Sequence, residues 1–312
     1  MVSDTTMMIV GPSGSGKTSL LGALKIASDR TLDIDGSAAF SEGYECRLNP
    51  TNANMEELIE IANDYFWTQG KLADSSDRVL NYQFQFSVNL DRDLLNGLLS
   101  KALWIVGDPG EWHAHFEIPD GPGGAIFPIP GRGAICTPED RESIFESARK
   151  ASGLILCLDS TDNKDETVAA LIKELPVFCR GFKNGLPFKR MAIILTKTDQ
   201  YFWKQLPNNL PDAERRAKED CPWKRVREII PDDIFKDLVK HASNTELVCG
   251  WVSAFGFNPD GTPNYDPTGC MGSFKKYPLG QRRNHWHPFQ LMDPLFFLLT
   301  GEPGALKPYR TK

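Results

Sequence analysis

The sequence predicts an α/β fold: a mostly parallel sheet with helices on both faces and one antiparallel strand. Three observations carry this prediction. Residues 6–10, 102–106, 153–159, 191–195 and 246–252 are short apolar runs, as strands buried on both faces are. Stretches of helical period separate most of them, which is the alternation of a sheet with crossover helices. The turn after the first run, Gly11-Pro12-Ser13-Gly14-Ser15-Gly16-Lys17-Thr18, is glycine-rich and opens directly into a helical pattern.

Composition narrows the class. The chain has 312 residues, 41% of them hydrophobic, enough for a large core. That length suits one elaborated domain, residues 1–312, with insertions at about 29–77, 112–137 and 257–286. Lys and Arg number 35 against 41 Asp and Glu, a net charge of −6. So mildly acidic a chain has no broad electrostatic reason to coat nucleic acid or an anionic membrane. None of the 7 cysteines forms a C-x-x-C pair, and Cys157 and Cys249 sit inside apolar runs. Buried thiols in a reducing compartment are the expectation. No signal-peptide pattern and no apolar run of membrane-spanning length is visible, so the expected location is cytoplasmic.

The elements follow in order. Residues 6–10 form the first strand and residues 17–28 the first helix. Turn residues punctuate 29–77, and residues 55–67 within them have helical spacing, with Asn52 or Asn54 as cap. In residues 80–88, Tyr82, Phe84, Phe86 and Val88 share one face while Asn81, Gln83, Gln85 and Ser87 share the other. That alternation marks the half-exposed antiparallel strand. Strand 102–106 runs into Gly107-Asp108-Pro109-Gly110-Glu111, and the carboxyl end of a buried strand is where an α/β sheet places its ligand-binding groups. Residues 112–138 contain Gly121-Pro122-Gly123-Gly124 and Pro128-Ile129-Pro130-Gly131 and read as a long loop without periodicity. Helices are expected at 138–150 and 166–180. Strand 191–195 ends in Thr196-Lys197-Thr198-Asp199. Residues 212–243 are helical, broken by Pro222 and Pro231, and strand 246–252 ends in Ser253-Ala254. A second loop, 257–286, precedes a closing helix at 289–300.

The glycine-rich turn meets every fixed position of G-x-x-x-x-G-K-[ST], the phosphate-binding loop. Gly11, Gly14 and Gly16 let successive N–H groups, including those of Ser13, Ser15 and Ser19, curl toward one anion. The helix presents its positive end to the same place. Lys17 reaches the terminal phosphates, and the Thr18 hydroxyl suits Mg²⁺.

With strand-end motifs Gly107 to Gly110, Thr196 to Asp199 and Ser253-Ala254 following in order, the chain resembles a Ras-like GTPase of the translation-factor-related class of P-loop proteins. The resemblance runs from about residue 6 to the last helix and implies GTP or GDP with Mg²⁺. Thr196-Lys197-Thr198-Asp199 matches that family's [NT]-K-x-D, which implies guanine. A carboxylate at Asp199 accepts from the ring N–H and exocyclic amine of guanine, whereas adenine presents a lone pair there. The Lys197 stem covers the base, and Ser253-Ala254 resembles the S-A pair whose backbone N–H meets the guanine carbonyl. The resemblance gives Asp108 to the metal side, Gly110 to the γ-phosphate and Ser75 to Mg²⁺ as the switch residue.

Two departures stand out. The family's second motif is D-x-x-G, and here Asp108 lies only two residues before Gly110. Where the family often has Gln after that glycine, Glu111 stands, with His113 and His115 behind it as further candidates to orient water. Arg132 and Arg141 flank the motif as candidate arginine fingers. The resemblance implies GTP hydrolysis, made slow by the missing Gln, and a molecular switch acting on an unidentified partner protein, with a nucleotide-dependent dimer as one form of that interaction. The layout is also similar to bacterial double-GTPase-like proteins. The alternatives are a P-loop nucleoside or nucleotide kinase, which leaves Thr196 to Asp199 unexplained, and a nucleotide-binding scaffold without useful turnover. The pairs His113/His115 and His285/His287 together suit zinc, although ordinary loop histidines are the simpler reading.

Overall fold

The computed structural model describes residues 6–12, 14–28, 44–63, 80–90, 112–120, 139, 142, 146, 149–163, 168–173, 188–264 and 286–310. Its strands are β1 (Thr6–Val10), β2 (Tyr44–Pro50), β3 (Leu80–Leu90), β4 (Trp112–Asp120), β5 (Ala151–Asp159), β6 (Arg190–Thr196), β7 (Glu246–Trp251) and β8 (Lys307–Pro308). They make one sheet in the order β2-β3-β4-β1-β5-β6-β7-β8. β4, β1, β5, β6 and β7 run parallel. β3 is antiparallel to both of its neighbours, as its alternation predicts, and the short β8 adds a second antiparallel member at the other edge.

The named helices are α1 (Lys17–Ser28), α2 (Ala53–Asn63), α3 (Thr198–Gln205), α4 (Ala213–Glu219), α5 (Pro222–Ile229), α6 (Asp232–His241) and α7 (Asp293–Thr300). Local chemistry sets their ends. The Asn52 side-chain oxygen accepts from the Met55 N–H at 3.0 Å and caps α2. Pro222 sits in the first turn of α5, and Pro231 caps α6 where the chain turns extended. Gly301, at φ 88°, closes α7 in the left-handed conformation.

Strand residues alternate between two cores, which is why the central runs are apolar throughout. Ile9, Ile155, Cys157, Ile194 and Val248 face α1, α2 and α7, meeting Leu21, Leu24, Met55, Leu295 and Phe296. Met8, Leu154, Leu156, Leu158, Met191 and Ile193 face α3 to α6, meeting Phe202, Val226, Ile234 and Leu238. Cys157 and Cys249 are buried thiols, as expected.

The region from 112 corrects the expectation of a loop. Residues 112–120 form β4, inserted between β1 and β3. Ala114, Phe116 and Ile118 are fully buried in the α1 and α2 core, while His113, His115 and Glu117 alternate onto the other face. The Phe116 ring stacks on Phe84 of β3 with centroids 5.0 Å apart. The expected strand at 102–106, the helix beyond residue 63, Ser75, Arg132, Arg141 and most of 257–286 lie outside the described residues.

Candidate functional site

The phosphate loop joins β1 to α1. Its glycines answer to geometry. A Cβ on Gly11 would lie 2.5 Å from the Cys157 carbonyl oxygen of the adjacent strand, so no side chain fits there. Gly14 and Gly16 hold φ of 77° and 80°, the left-handed region. Lys17 is buried and bends back over the loop, its Nζ donating to the Gly11 and Pro12 carbonyls at 2.9 and 3.0 Å. A cation held at the focus of the loop, beside the N-terminus of a 12-residue helix, is matched to an anion. Thr18 follows in the first turn of α1 and Ser19 lines the adjoining cavity. Ser13 lies outside the described residues.

The end of β6 locks onto this loop. The Thr196 hydroxyl lies 2.7 Å from the Ser15 carbonyl and 3.0 Å from the Leu158 carbonyl, tying three segments together. Lys197 then takes a left-handed backbone (φ 54°, ψ 35°), which turns the chain into α3. Its ammonium pairs with Asp159 Oδ2 at the end of β5. Asp159 Oδ1 in turn accepts from both the N–H and the hydroxyl of Thr161, at 2.8 and 2.7 Å. The Thr198 hydroxyl donates within reach of the Leu195 and Val252 carbonyls, fastening this corner to the end of β7.

Asp199 is 0% exposed. Its Oδ1 accepts from the Ser253 hydroxyl at 2.5 Å, while Oδ2 is buried with no hydrogen-bond partner among the described residues. Burial pushes the Asp199 carboxyl up to about 6, partly offset by the Ser253 hydrogen bond. Ser253 is itself fixed, because its Oγ accepts from the Gly256 and Phe255 N–H groups at 2.9 and 3.3 Å. The Ala254 carbonyl is held by the buried Trp286 indole at 2.8 Å. A cavity runs between these groups, lined by Gly16, Ser19, Lys197, Asp199, Ser253 and Ala254 among others. The loop and both later motifs therefore meet at the carboxyl ends of β1, β6 and β7, as a parallel α/β sheet allows.

A second candidate for the D-x-x-G motif ends β4. β4 lies beside β1 and runs parallel to it, with His115 level with Thr6 and Glu117 level with Met8. The same register carried to the strand end sets Asp120 level with Gly11. In the sequence Asp120-Gly121-Pro122-Gly123 is a full D-x-x-G, and Asp120 is the last residue of β4, the strand beside β1. His113 pairs with Ser87 and precedes the level of Thr6. At about 3.3 Å per residue it stands roughly 20 Å from the loop end of its strand. It cannot orient water there. Asp108, Gly110 and Glu111 lie outside the described residues, and Trp112, which follows them, starts β4 at the end of the sheet remote from the loop.

Two signals could have found this strand: the alternation Trp112, Ala114, Phe116, Ile118 against His113, His115, Glu117, and the D-x-x-G after it. His113 and His115 are strand residues, and no cluster of three metal-ligating side chains occurs among the described residues. No described helix is long and apolar enough to cross a membrane.

No family model and no curated protein matches the chain. Similar solved structures include the bacterial selenocysteine-specific elongation factor EF-Sec, at 15% identity and TM-score 0.30 over 81% of this chain. Another is the signal recognition particle receptor SRb-GTP/SRX complex from Chaetomium thermophilum, at 11% identity and TM-score 0.34 over 83%. A third is Era from Aquifex aeolicus bound to GDP.AlF4-, at 14% identity and TM-score 0.32 over 80%. The chain spans 26% of the elongation factor's length, 50% of Era's and 94% of the receptor chain's.

Proposed function

We propose that the chain binds GTP and GDP with Mg²⁺ and hydrolyses GTP slowly, as a switch controlling a partner protein. One observation carries the base assignment: the buried Asp199 carboxylate, with one oxygen held by Ser253 and the other lacking a partner among the described residues, beside a cavity that adjoins the phosphate loop. An unsatisfied buried acceptor costs free energy unless a donor arrives. Guanine offers two donors to a carboxylate, the ring N–H and the exocyclic amine, and adenine does not offer that pair. Lys197 covers the base, Ala254 meets the guanine carbonyl through its backbone, and Lys17 with the glycine turn holds the phosphates.

Mg²⁺ takes hard oxygen ligands, one or two from protein and the rest from phosphate and water. Thr18 at the start of α1 would supply one such oxygen, and we assign the carboxylate to Asp120, the last residue of β4, rather than to Asp108. When bound, the ion would neutralise phosphate charge.

In the register set by Asp120 and Gly123, the position where the family often has Gln is Gly124. It carries no side chain to orient water. This supports slow turnover until a partner supplies a missing group. Single-turnover hydrolysis with the chain in excess tests it: slow phosphate release supports the switch, while none over hours leaves a nucleotide-binding scaffold. Asp199→Asn tests the base assignment, with weaker GTP binding expected and unchanged binding refuting it.

A further inference from the structure

Behind the base pocket, one arginine touches both segments that shape it. Arg225 belongs to α5, in the helical insert between β6 and β7, and its side chain is 11% exposed. Its Nε donates to the Ser160 carbonyl at 2.9 Å, and one terminal nitrogen donates to the Asp162 carbonyl. The other terminal nitrogen reaches Glu228 at 2.9 Å. Its guanidinium carbon stands 5.0 Å from the Tyr201 ring centroid.

The contacts to Ser160, Asp162 and Tyr201 lead to the pocket. The Ser160 and Asp162 carbonyls flank Thr161, whose N–H and hydroxyl fix Asp159 Oδ1. Asp159 Oδ2 holds the Lys197 ammonium. Tyr201 stands on α3, two residues beyond Asp199, and its ring also stacks on Trp251 at the end of β7. Lys197 needs an external hold, because its left-handed backbone is uncommon for a residue with a side chain. A mobile Asp159 would free the lysine stem to leave the base face.

We propose that Arg225 is a positioning residue for the base pocket, through which the helical insert α4 to α6 sets how long a guanine nucleotide stays bound. It acts through the 159–162 turn on Asp159 and thence on Lys197. A guanidinium suits this role because its planar fork reaches two carbonyls and a carboxylate while stacking on a ring, which an ammonium cannot do. Any partner that shifts α5 would thereby speed nucleotide release without entering the pocket. The inference rests on reading that pocket as the guanine site.

The test is stopped-flow release of fluorescently labelled GDP from the full chain. Four forms are compared: the natural sequence, Arg225→Ala, Asp159→Asn and the double variant, each with its nucleotide-free unfolding temperature. Each single change should speed release about tenfold, the equivalent of one charge-assisted hydrogen bond. The double variant should release at about the rate of either single one, because both break one path. Unchanged release in Arg225→Ala, with or without a lower unfolding temperature, overturns the proposal. So does a double variant whose effects multiply to about a hundredfold, which would mean independent action. If Arg225→Ala does not fold, Arg225→Lys carries the same test, since it keeps the charge but loses the fork. If the natural chain binds no GDP at all, the base assignment itself fails and takes the proposal with it.

Discussion

GDP affinity should fall about tenfold for each pH unit below 6, and Asp199 should be the cause. The carboxyl is fully buried, and burial raises it to about 6 against the Ser253 hydrogen bond that lowers it. Guanine binding needs the ionised form, because a protonated oxygen would direct its own O–H at the N–H donors of the base. At pH 5 only about one free chain in eleven would carry the charge, so the apparent affinity drops by about that factor. The assay is a fluorescence or calorimetric titration of GDP from pH 5 to 8 at fixed Mg²⁺. The nucleotide's own terminal phosphate titrates near pH 6 as well, so Asp199→Asn is titrated in parallel. It keeps one acceptor and binds GDP more weakly, and its remaining pH dependence belongs to the phosphate. Calorimetry in buffers of different ionisation enthalpy should also show proton release on binding at pH 5.5. Curves of the same shape for the two chains, without extra proton release from the natural one, would refute the reasoning.

The same burial has a sign for stability. A carboxyl raised in the folded state favours folding below its unfolded value of 3.8, and that contribution is lost as pH rises through about 6. At pH 7.5 the charged Asp199 therefore costs the nucleotide-free chain up to about 3 kcal/mol. Asp199→Asn should unfold at a higher temperature there, with the difference vanishing below about pH 4, as thermal unfolding across pH would show. Gly11→Ala drives a Cβ to 2.5 Å from the Cys157 carbonyl, and a loss of about 1–3 kcal/mol is expected along with nucleotide binding, measured by denaturant unfolding and GDP titration. Asp120→Asn should leave Mg²⁺-free GDP binding nearly unchanged and abolish most of the gain that Mg²⁺ gives to GTP. An equal Mg²⁺ gain in both chains would remove Asp120 from the metal side. His113→Ala should leave single-turnover hydrolysis unaltered, since its strand position lies remote from the phosphate loop.

What could be read from the residues depends on how local the determining physics is. The phosphate loop, α1 and the strand ends at Thr196 and Ser253 are local patterns, and their spacing alone places them. The buried central strands follow because both of their faces meet helices. β4 was hidden by its setting. Its alternation spans only Trp112 to Ile118, and the glycine and proline residues from Gly121 onward make the wider stretch read as loop. Two Asp-to-Gly sequence motifs, at Asp108 and Asp120, compete for one role, and composition cannot choose between them. Strand order favours Asp120, because β4, which it ends, lies beside β1 and runs parallel to it toward the loop. The pairing of Lys197 with Asp159 depends on β5 and β6 being neighbours, and the Arg225 contacts depend on how α5 packs beneath the 159–162 turn. Those partners lie 38 and 65 residues apart, beyond any local pattern.

The central claim is that this chain reads guanine through Asp199. Calorimetric titration of GDP, GTP and ATP into nucleotide-free chain, with Mg²⁺ at pH 7.5, tests it most directly. Tight binding of both guanine nucleotides with no ATP signal is the predicted result. Binding of ATP, or equal affinity for ATP and GTP, would contradict it and would make Thr196 to Asp199 a structural corner only.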